Sequence, residues 1–206
     1  GLVLGIDAGP DFRAQMLREK VQHLDAILLT HEHKDHIAGL DDIRAFNYKR
    51  QDHFPVYCTP KVEQALKREF YYAFEADPYP GVPRFAIHHM DKGSVQIGAH
   101  SFEAVEVWHH KIQVLGFRFG KLAYITDAKT ITPEEKEKLQ GLDILIINAL
   151  HEFPHPSHFN LAEALQLIEQ LKPKHSYLTH ISHLFGLHAD VSAKLPANVS
   201  LAFDGL

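Results

Sequence analysis

The sequence predicts a mixed α/β fold in which helices lie outside two β-sheets. Three observations lead to this prediction. The chain has 206 residues of which 45% are hydrophobic, strand-like segments crowd its middle, and helical segments lie before and after them. That size and composition suit one compact domain with a substantial core, so we expect residues 1–206 to form a single domain. No repeat, low-complexity segment or linker marks a boundary within it.

Short apolar runs and helical periodicity alternate in the first part of the chain. Predicted strands cover residues 2–6, 26–29 and 56–58. Predicted helices cover residues 12–21, 39–46 and 60–74. The last of these helices places Val62, Leu66 and Phe70 on one face. Three prolines and a glycine make residues 77–83 a loop.

The middle of the chain has short strand-like segments separated by turn residues, as in β-hairpins, and two capped helices follow it. Predicted strands cover residues 84–88, 94–97, 101–107, 113–119 and 121–126, and later 144–147, 176–179 and 199–203. Gly120-Lys121 is typical of a tight hairpin connection. Thr132 and Asn160 each precede an acidic residue by three positions, the capping-box pattern that begins a helix. Lys172-Pro173 is expected to end the second of these helices.

Composition excludes several classes of protein and favours metal binding. With 26 acidic and 21 basic residues the formal charge is −5, which does not fit a basic nucleic-acid or membrane surface. The single cysteine, Cys58, rules out an intrachain disulfide and a thiolate-rich zinc site, and we expect it to be buried in its strand. Histidine is abundant, at 17 residues, and neutral imidazole is a common metal ligand.

The absence of an apolar run of about 20 residues and of a leader pattern leads us to expect a cytoplasmic protein. The chain opens at Gly1 almost directly on a strand. We therefore expect that it lacks its natural N-terminal segment.

The segment His31-Glu32-His33-Lys34-Asp35-His36 carries the strongest functional signal. It follows the predicted strand 26–29 and holds four potential ligands within six residues. In an extended stretch His31, His33 and Asp35 project to one side, and His36 joins them if the chain bends into a helix. Nitrogen and carboxylate ligands of this kind suit zinc, manganese or iron.

This H-x-H-x-D-H motif after an apolar strand resembles the signature of the metallo-β-lactamase superfamily, whose fold is a four-layer αββα sandwich. The family places a histidine, an aspartate and a last histidine at the ends of later strands. His109, Asp127 and His180 occur here in that order. The resemblance runs from Asp7-Ala8-Gly9 to His180 and implies a metal-dependent hydrolase.

The resemblance also implies a division of the ligands between two divalent ions, Mn²⁺ or Zn²⁺. His31, His33 and His109 would hold one ion, Asp35, His36 and His180 the other, and Asp127 would bridge them. A hydroxide between the two ions would be the nucleophile. Strand register and family spacing favour His109 as the ligand, but His110 is the alternative ligand at this position.

Within the superfamily, the segments 9–13, 29–42 and 178–183 resemble the branch of PhnP-type phosphoribosyl cyclic phosphodiesterases. In that branch a catalytic histidine precedes a helix, and His158 matches its place; His151, His155 and His188 are weaker candidates. His158 would protonate the leaving sugar oxygen, and Asp35 is counted with it among the catalytic residues. The implied substrate is a small cyclic phosphodiester, either phosphoribosyl 1,2-cyclic phosphate or a 2′,3′-cyclic nucleotide, and no nucleic-acid or membrane partner is expected.

The sequence departs from the branch at a structural zinc site, and it leaves other functions open. His183 matches the histidine of that site, but the cysteines that accompany it are absent. A thioester or lactone hydrolase, a transfer-RNA 3′-processing nuclease and an inactive metal-binding partner protein are the alternatives. The nuclease would need a basic arm and the thioester hydrolases a C-terminal extension, and neither is evident. A homodimer is possible, but no interface can be identified.

Overall fold

A four-stranded and a seven-stranded β-sheet form the framework of the protein in the computed structural model, which describes all 206 residues. The smaller sheet belongs to a compact unit, Gly1–Asp91, and the larger sheet to a second unit, Lys92–Leu206. The predicted mixed α/β fold with two sheets is therefore confirmed. The assignment of residues 1–206 to a single domain stays a prediction. No helix combines the length and the hydrophobicity that crossing a bilayer requires.

The first unit alternates strands and helices as predicted. Its strands are β1 (Leu4–Ile6), β2 (Ala26–Leu28), β3 (Phe54–Cys58) and β4 (Phe85–His89). Its helices are α1 (Phe12–Arg18), α2 (Lys34–Ile37), α3 (Arg44–Arg50) and α4 (Pro60–Glu69). The strands pair in chain order and all run parallel. Parallel pairing brings the residues that follow β1 and β2 to the same edge of the sheet.

The helix predicted over residues 39–46 is broken in the structure. A short α2 precedes a 3₁₀ segment, Ala38–Ile43, and only then does α3 begin. Gly39 packs closely within this segment, and a Cβ at this position would lie 2.1 Å from the Gly9 carbonyl oxygen. The helix predicted over residues 60–74 ends at Glu69, and the 3₁₀ turn Tyr71–Ala73 continues it.

The second unit contains the predicted hairpins and capped helices. Its strands are β5 (Gly93–Ile97), β6 (His100–His109), β7 (Ile112–Phe119), β8 (Leu122–Ile125), β9 (Ile144–Asn148), β10 (His175–Thr179) and β11 (Val199–Leu201). Its helices are α5 (Pro133–Glu137), α6 (Leu161–Leu171) and α7 (His188–Ser192), with a 3₁₀ turn at His183–Phe185. Neither α7 nor this 3₁₀ turn was predicted.

Strands β5 to β8 of the larger sheet are antiparallel, and β8 to β11 are parallel. Gly120, at φ +60°, makes the predicted two-residue hairpin between β7 and β8. The capping box at Asn160 is present at the start of α6, and Lys172 ends that helix at φ +51°. Residues of β9 alternate between half-buried and buried, and none of them is exposed. Polar side chains follow β8 and β10, which flank β9 at the same edge of the sheet.

Candidate functional site

Four of the predicted ligands form a cluster in the first unit, which we call the β2–α2 cluster: His31, His33, Asp35 and His36. The chain leaves β2, stays extended at His33 and enters α2, so the bend expected before His36 is present. His31 and His36 are buried, His33 is half-buried, and the Asp35 side chain is 61% exposed. The His31 ring centroid lies 4.5 Å from that of His33 and 4.2 Å from that of His36. The motif therefore folds into one compact group of imidazoles.

Asp7 anchors this cluster, although it was not among the residues predicted for the site. It follows β1, and its Oδ2 atom lies 2.6 Å from Nδ1 of His36. Its oxygens also accept hydrogen bonds from the Thr30 amide and hydroxyl, both at 2.8 Å. Burial of its carboxyl group is the main cause that raises the pKa of Asp7, against the opposing effect of His36. The available signal was its position after a parallel strand, where ligand-binding groups concentrate.

These hydrogen bonds fix which ring nitrogens carry a proton. His36 donates from Nδ1 to the Asp7 carboxylate, so its Nε2 carries the lone pair. The Thr30 hydroxyl gives its proton to Asp7 and must accept from Nδ1 of His31, 3.0 Å away. Nε2 of His31 therefore also carries a lone pair. A metal-binding histidine needs this arrangement, with one nitrogen bonded to the protein and the other available as a ligand.

The spacing of ring nitrogens in the cluster fits a small cation. Nε2 of His31 and Nδ1 of His33 are 3.0 Å apart. Two nitrogen ligands of one tetrahedral zinc ion at the usual bond length lie about 3.3 Å apart. Because Nε2 of His31 carries the lone pair, Nδ1 of His33 donates this hydrogen bond, and a cation bound between the two nitrogens would take the place of its proton.

Asp127 is the centre of a second group, in the second unit, which we call the β8–β10 cluster: His109, Asp127, His158 and His180. Asp127 Oδ1 is 3.2 Å from Nε2 of His180 and 3.6 Å from Nδ1 of His158. Its Oδ2 accepts the Thr126 hydroxyl at 2.6 Å. Because one carboxylate oxygen is held by Thr126, Oδ1 is the oxygen that faces the histidines.

Three residues at the ends of parallel strands share an uncommon backbone conformation. Asp7, Asp127 and His180 have φ values of +59°, +52° and +53°. A left-handed backbone costs a residue with a side chain about 1–2 kcal/mol, and such strain concentrates at functional sites. At each of these three positions the strand ends and the backbone changes direction.

His109 rather than His110 belongs to the β8–β10 cluster. His109 is buried at the end of β6, and its ring centroid lies 4.4 Å from that of His158. Its Nδ1 donates to the Ser157 carbonyl at 2.9 Å, so Nε2 carries the lone pair. His110 is exposed in the β6–β7 turn at φ +55°. The structure therefore favours the choice of His109.

His158 lies among the predicted ligands, and its buried Nδ1 has no hydrogen bond. Its ring stacks on His180 at 4.9 Å and packs against His109, so ring contacts set its orientation. One ligand atom each of His109, Asp127 and His158 lies within 4.8 Å of the other two. Burial lowers the pKa of His158 to about 4, although Asp127 opposes this effect. The ring is therefore neutral at pH 7 in the metal-free chain.

The surroundings of His180 contain room for an organic group. A cavity of about 270 Å³ lies beside it, lined by Ile181, Ala202 and Phe203 together with the polar Thr179 and Asp204. His183, which matches the branch's structural zinc histidine, is exposed in its 3₁₀ turn. His188 is exposed at the start of α7.

The donor set in each unit fits a divalent cation. Imidazole lone pairs and a carboxylate oxygen are ligands that zinc and manganese accept. His31, His36 and His109 are already hydrogen-bonded through their other nitrogen, which orients them for binding. How the seven predicted ligands are shared between ions stays a prediction.

Comparison with known protein families gives one clear match. A family model described as a β-lactamase superfamily domain matches residues 4–181. Among solved structures, a diphosphatase from the PhnP family superposes with a TM-score of 0.90 and is 39% identical; the match covers 98% of this chain and 78% of that one. Human short-form tRNase Z has a TM-score of 0.73 at 17% identity, covering 98% of this chain and 85% of the other, and shares the fold.

Two named relatives differ in how far they match. An octanoyltransferase of Porphyromonas gingivalis is 36% identical over 203 residues, which are 98% of this chain but 41% of the relative. A hydroxyacylglutathione hydrolase of Cereibacter sphaeroides is 51% identical over 39 residues, 19% of this chain and 14% of the relative. The match thus spans less than half the length of either relative. The octanoyl transfer in the first name is a property of that longer protein.

Proposed function

Because this chain belongs to the β-lactamase superfamily and lies near the PhnP type of metal-dependent hydrolase, we propose that it is a phosphodiesterase that acts on small cyclic phosphodiesters. The observation that carries the proposal is His158, a buried imidazole packed between two predicted metal ligands of the β8–β10 cluster. A leaving sugar oxygen needs a proton, and a histidine beside the ligands is placed to give it.

We propose His31, His33, Asp35, His36, His109, Asp127 and His180 as the ligands of two divalent ions. Bound ions of this kind neutralise charge on a phosphoryl group and activate water for attack. Asp7 and Thr30 hold the rings of the β2–α2 cluster in the ligand orientation. The Ser157 carbonyl does the same for His109.

His158 supplies the proton only when its own ring is protonated. Its lowered pKa makes the ring neutral at pH 7, and a neutral imidazole is a poor acid. A phosphodiester anion beside the ring favours the protonated form, because an opposite charge stabilises the cation. The acid role therefore depends on bound substrate. The cavity beside His180, where Phe203 lies next to the Asp204 carboxylate, gives the sugar or base of such a substrate a surface to contact.

A test of this function combines metal analysis with a panel of substrates. After loading with Mn²⁺ or Zn²⁺, the protein is assayed on bis(p-nitrophenyl) phosphate, a 2′,3′-cyclic nucleotide and a nucleoside diphosphate. Turnover of the cyclic nucleotide, lost in Asp127→Ala, is the expected result. Turnover of the diphosphate alone would contradict the cyclic substrate and favour the activity named for the PhnP-family relative.

Thioester hydrolysis is the second candidate, and the 39-residue match to a hydroxyacylglutathione hydrolase favours it. The same metal chemistry polarises a thioester carbonyl. Hydrolysis of a glutathione thioester, with no turnover of any phosphate substrate, would replace the phosphodiesterase proposal by this one.

A further inference from the structure

A groove between α1 and α3 in the first unit has no part in the proposed function. Its cavity holds about 440 Å³, within the range of roughly 300–1,000 Å³ that is usual for small-molecule sites. Phe12 and Phe46 are its most deeply buried lining residues, and their ring centroids are 6.5 Å apart. Met16 and Val21 are half-buried beside them, and Leu17 is 68% exposed at the edge. The groove therefore offers an apolar surface that the protein itself covers only in part.

The apolar residues of the groove follow the length of α1. Phe12 and Met16 lie one helical turn apart on the same face, and Val21 comes shortly after the helix. From Phe12 to Lys20 the rise of an α-helix gives a length of roughly 12 Å. An extended alkyl chain of about ten carbons has a similar length, since each of its C–C bonds measures about 1.5 Å. The apolar part of the groove thus matches a single linear chain.

The rim of the groove carries more positive than negative charge. Asp42 is the one carboxylate that lines it, and three cations do so: Arg13, Lys20 and Lys49. None of these cations forms an ion pair, and Glu19, the carboxylate next to Lys20 in the chain, pairs with Arg18 at 2.7 Å instead. The whole chain has a formal charge of −5, so this local excess is opposite in sign to the protein. The rim therefore attracts an anionic group.

Two of the cations lie at the end of the groove that follows α1. The Lys49 ammonium donates to the Gln22 carbonyl oxygen and to the Gln22 Oε1 atom, both at 3.2 Å. These acceptors are neutral, so they hold the ammonium group in place without cancelling its charge. Lys20 precedes Gln22 by two residues and has a left-handed backbone, at φ +52°. An anion at this end would lie between a fixed ammonium group and a second lysine of the same cavity.

We propose that this groove binds a free amphiphilic anion with one linear alkyl chain, a medium-chain fatty-acid carboxylate. The alkyl chain lies along α1 against Phe12 and Met16, and the carboxylate lies at Lys20 and Lys49. A carboxylate has two acceptor oxygens, so it can accept from both ammonium groups. The site is confined to the first unit and contains none of the proposed metal ligands. It therefore stands or falls independently of the proposed phosphodiesterase activity.

The two methionines of the chain give a binding test with an internal control. Met16 lines the groove, whereas Met90 is buried just after β4 and does not line it. Titration of sodium decanoate into protein labelled with ¹³C at the methionine methyl groups should shift the Met16 signal and leave the Met90 signal unchanged. A Met16 signal that stays in place would refute the site. Equal shifts of both signals would indicate a general detergent effect and would also refute it.

Chain length and head-group charge test the two halves of the site. The dissociation constant should fall by about fourfold for each methylene from hexanoate to decanoate, because each methylene adds a similar amount of buried apolar surface. Decyltrimethylammonium has the same chain length and the opposite charge, and it should bind more weakly than decanoate by roughly tenfold or more. An affinity that is independent of chain length, or equal for the two decyl compounds, would overturn the proposal.

Exposed positions allow each half of the site to be removed without altering the core. Ala45→Trp fills the groove and should abolish the Met16 shift. Lys20→Gln should weaken decanoate binding by about threefold or more, the scale of a partly exposed charge pair, without weakening decyltrimethylammonium binding. Lys172→Gln is the matched control, because Lys172 also follows a helix in the left-handed conformation, at φ +51°, but lies in the second unit. Unchanged binding in Ala45→Trp, or equal weakening in the two lysine variants, would contradict the site.

Vesicles distinguish a free ligand from a membrane surface. Wild-type protein should stay in the supernatant when it is sedimented with phosphatidylcholine vesicles that contain phosphatidylglycerol. Binding to these vesicles that Lys20→Gln reduces, with no response of Met16 to free decanoate, would replace the fatty-acid site by a membrane-binding surface. None of these measurements depends on turnover, so loss of the phosphodiesterase proposal would leave their result unchanged.

Discussion

Asp7 Oδ2 lies 2.6 Å from Nδ1 of His36, and the same carboxylate orients His31 through the Thr30 hydroxyl. One buried acid thus orients the rings of two predicted ligands. Asp7→Asn preserves the shape of the side chain but weakens the acceptor for His36. We expect a 10- to 100-fold loss of metal affinity, the usual effect of removing such a support.

Competition with a chelator would measure that loss, and circular dichroism would show that the variant is folded. Asp190→Asn, at an exposed position in α7, is the matched control and should bind metal as the wild type does. If Asp7→Asn bound metal with unchanged affinity, the hydrogen bond would have only a structural role.

Asp127 is the carboxylate to which both His158 and His180 lie close. Asp127→Ala should abolish turnover and release at least one metal ion per chain. The physical reason is that the substitution removes a ligand oxygen and leaves neighbouring imidazoles without their negative partner. Metal analysis by mass spectrometry after gel filtration would measure the release, with Asp190→Ala as the control. Full activity with an unchanged metal content would show that the ligand assignment is wrong.

Local sequence patterns predicted much of the framework, because strand length, hairpin glycines and helix caps act over a few residues. The hairpin at Gly120 and the capping box at Asn160 are examples. The β2–α2 cluster was predictable for the same reason, since its four ligands lie within six residues.

Contacts between distant parts of the sequence were harder to predict. Asp7 is 29 residues from His36, and only parallel pairing of β1 with β2 brings them together. The hydrogen bonds that Nδ1 of His151 and Nδ1 of His155 accept from the Phe153 and Ser157 amides likewise depend on loop geometry that composition does not encode. The close packing of Gly39 against the Gly9 carbonyl oxygen likewise joins residues that are far apart in the sequence.

Gly39 supports the loop that carries the β2–α2 cluster. A Cβ at this position would lie 2.1 Å from the Gly9 carbonyl oxygen and 2.7 Å from the Phe12 Cβ. Gly39→Ala should destabilise the protein by about 1–3 kcal/mol, because neither neighbour can move without shifting backbone. Urea denaturation would measure the change, with Gly1→Ala, where a Cβ meets open space, as the control. An unchanged midpoint would mean that this loop adjusts freely.

Cys58 is buried in β3, as the sequence predicted. Burial raises the pKa of its thiol to about 12, so the reactive thiolate is scarce at pH 8. Relative to an ordinary thiol, alkylation of the native protein by iodoacetamide should be slower by roughly 10³-fold, from the thiolate fraction alone. The rate should still be rising well above pH 9, where an exposed cysteine has levelled off. Mass spectrometry with and without urea would follow the reaction, and rapid labelling of the native chain at pH 8 would contradict the buried thiol.

The position of His158 permits two roles, metal ligand and proton donor. It lies near enough to His109 and Asp127 to act as a ligand, yet we assign it to proton transfer. His158→Ala should keep both metal ions and slow turnover by about 10²-fold or more, the usual scale for losing a general acid. The loss should be largest for substrates with poor leaving groups, which need the proton, and small for p-nitrophenolate, which leaves without one.

Metal content and a series of substrates with graded leaving groups would decide between the roles. A matched variant, His110→Ala, removes an exposed histidine of the β6–β7 turn and should leave both measurements unchanged. Loss of metal in His158→Ala would make His158 a ligand and reject the acid. A uniform loss across all leaving groups, with metals retained, would place its role in phosphate binding, because binding acts equally on substrates that share the same phosphoryl group.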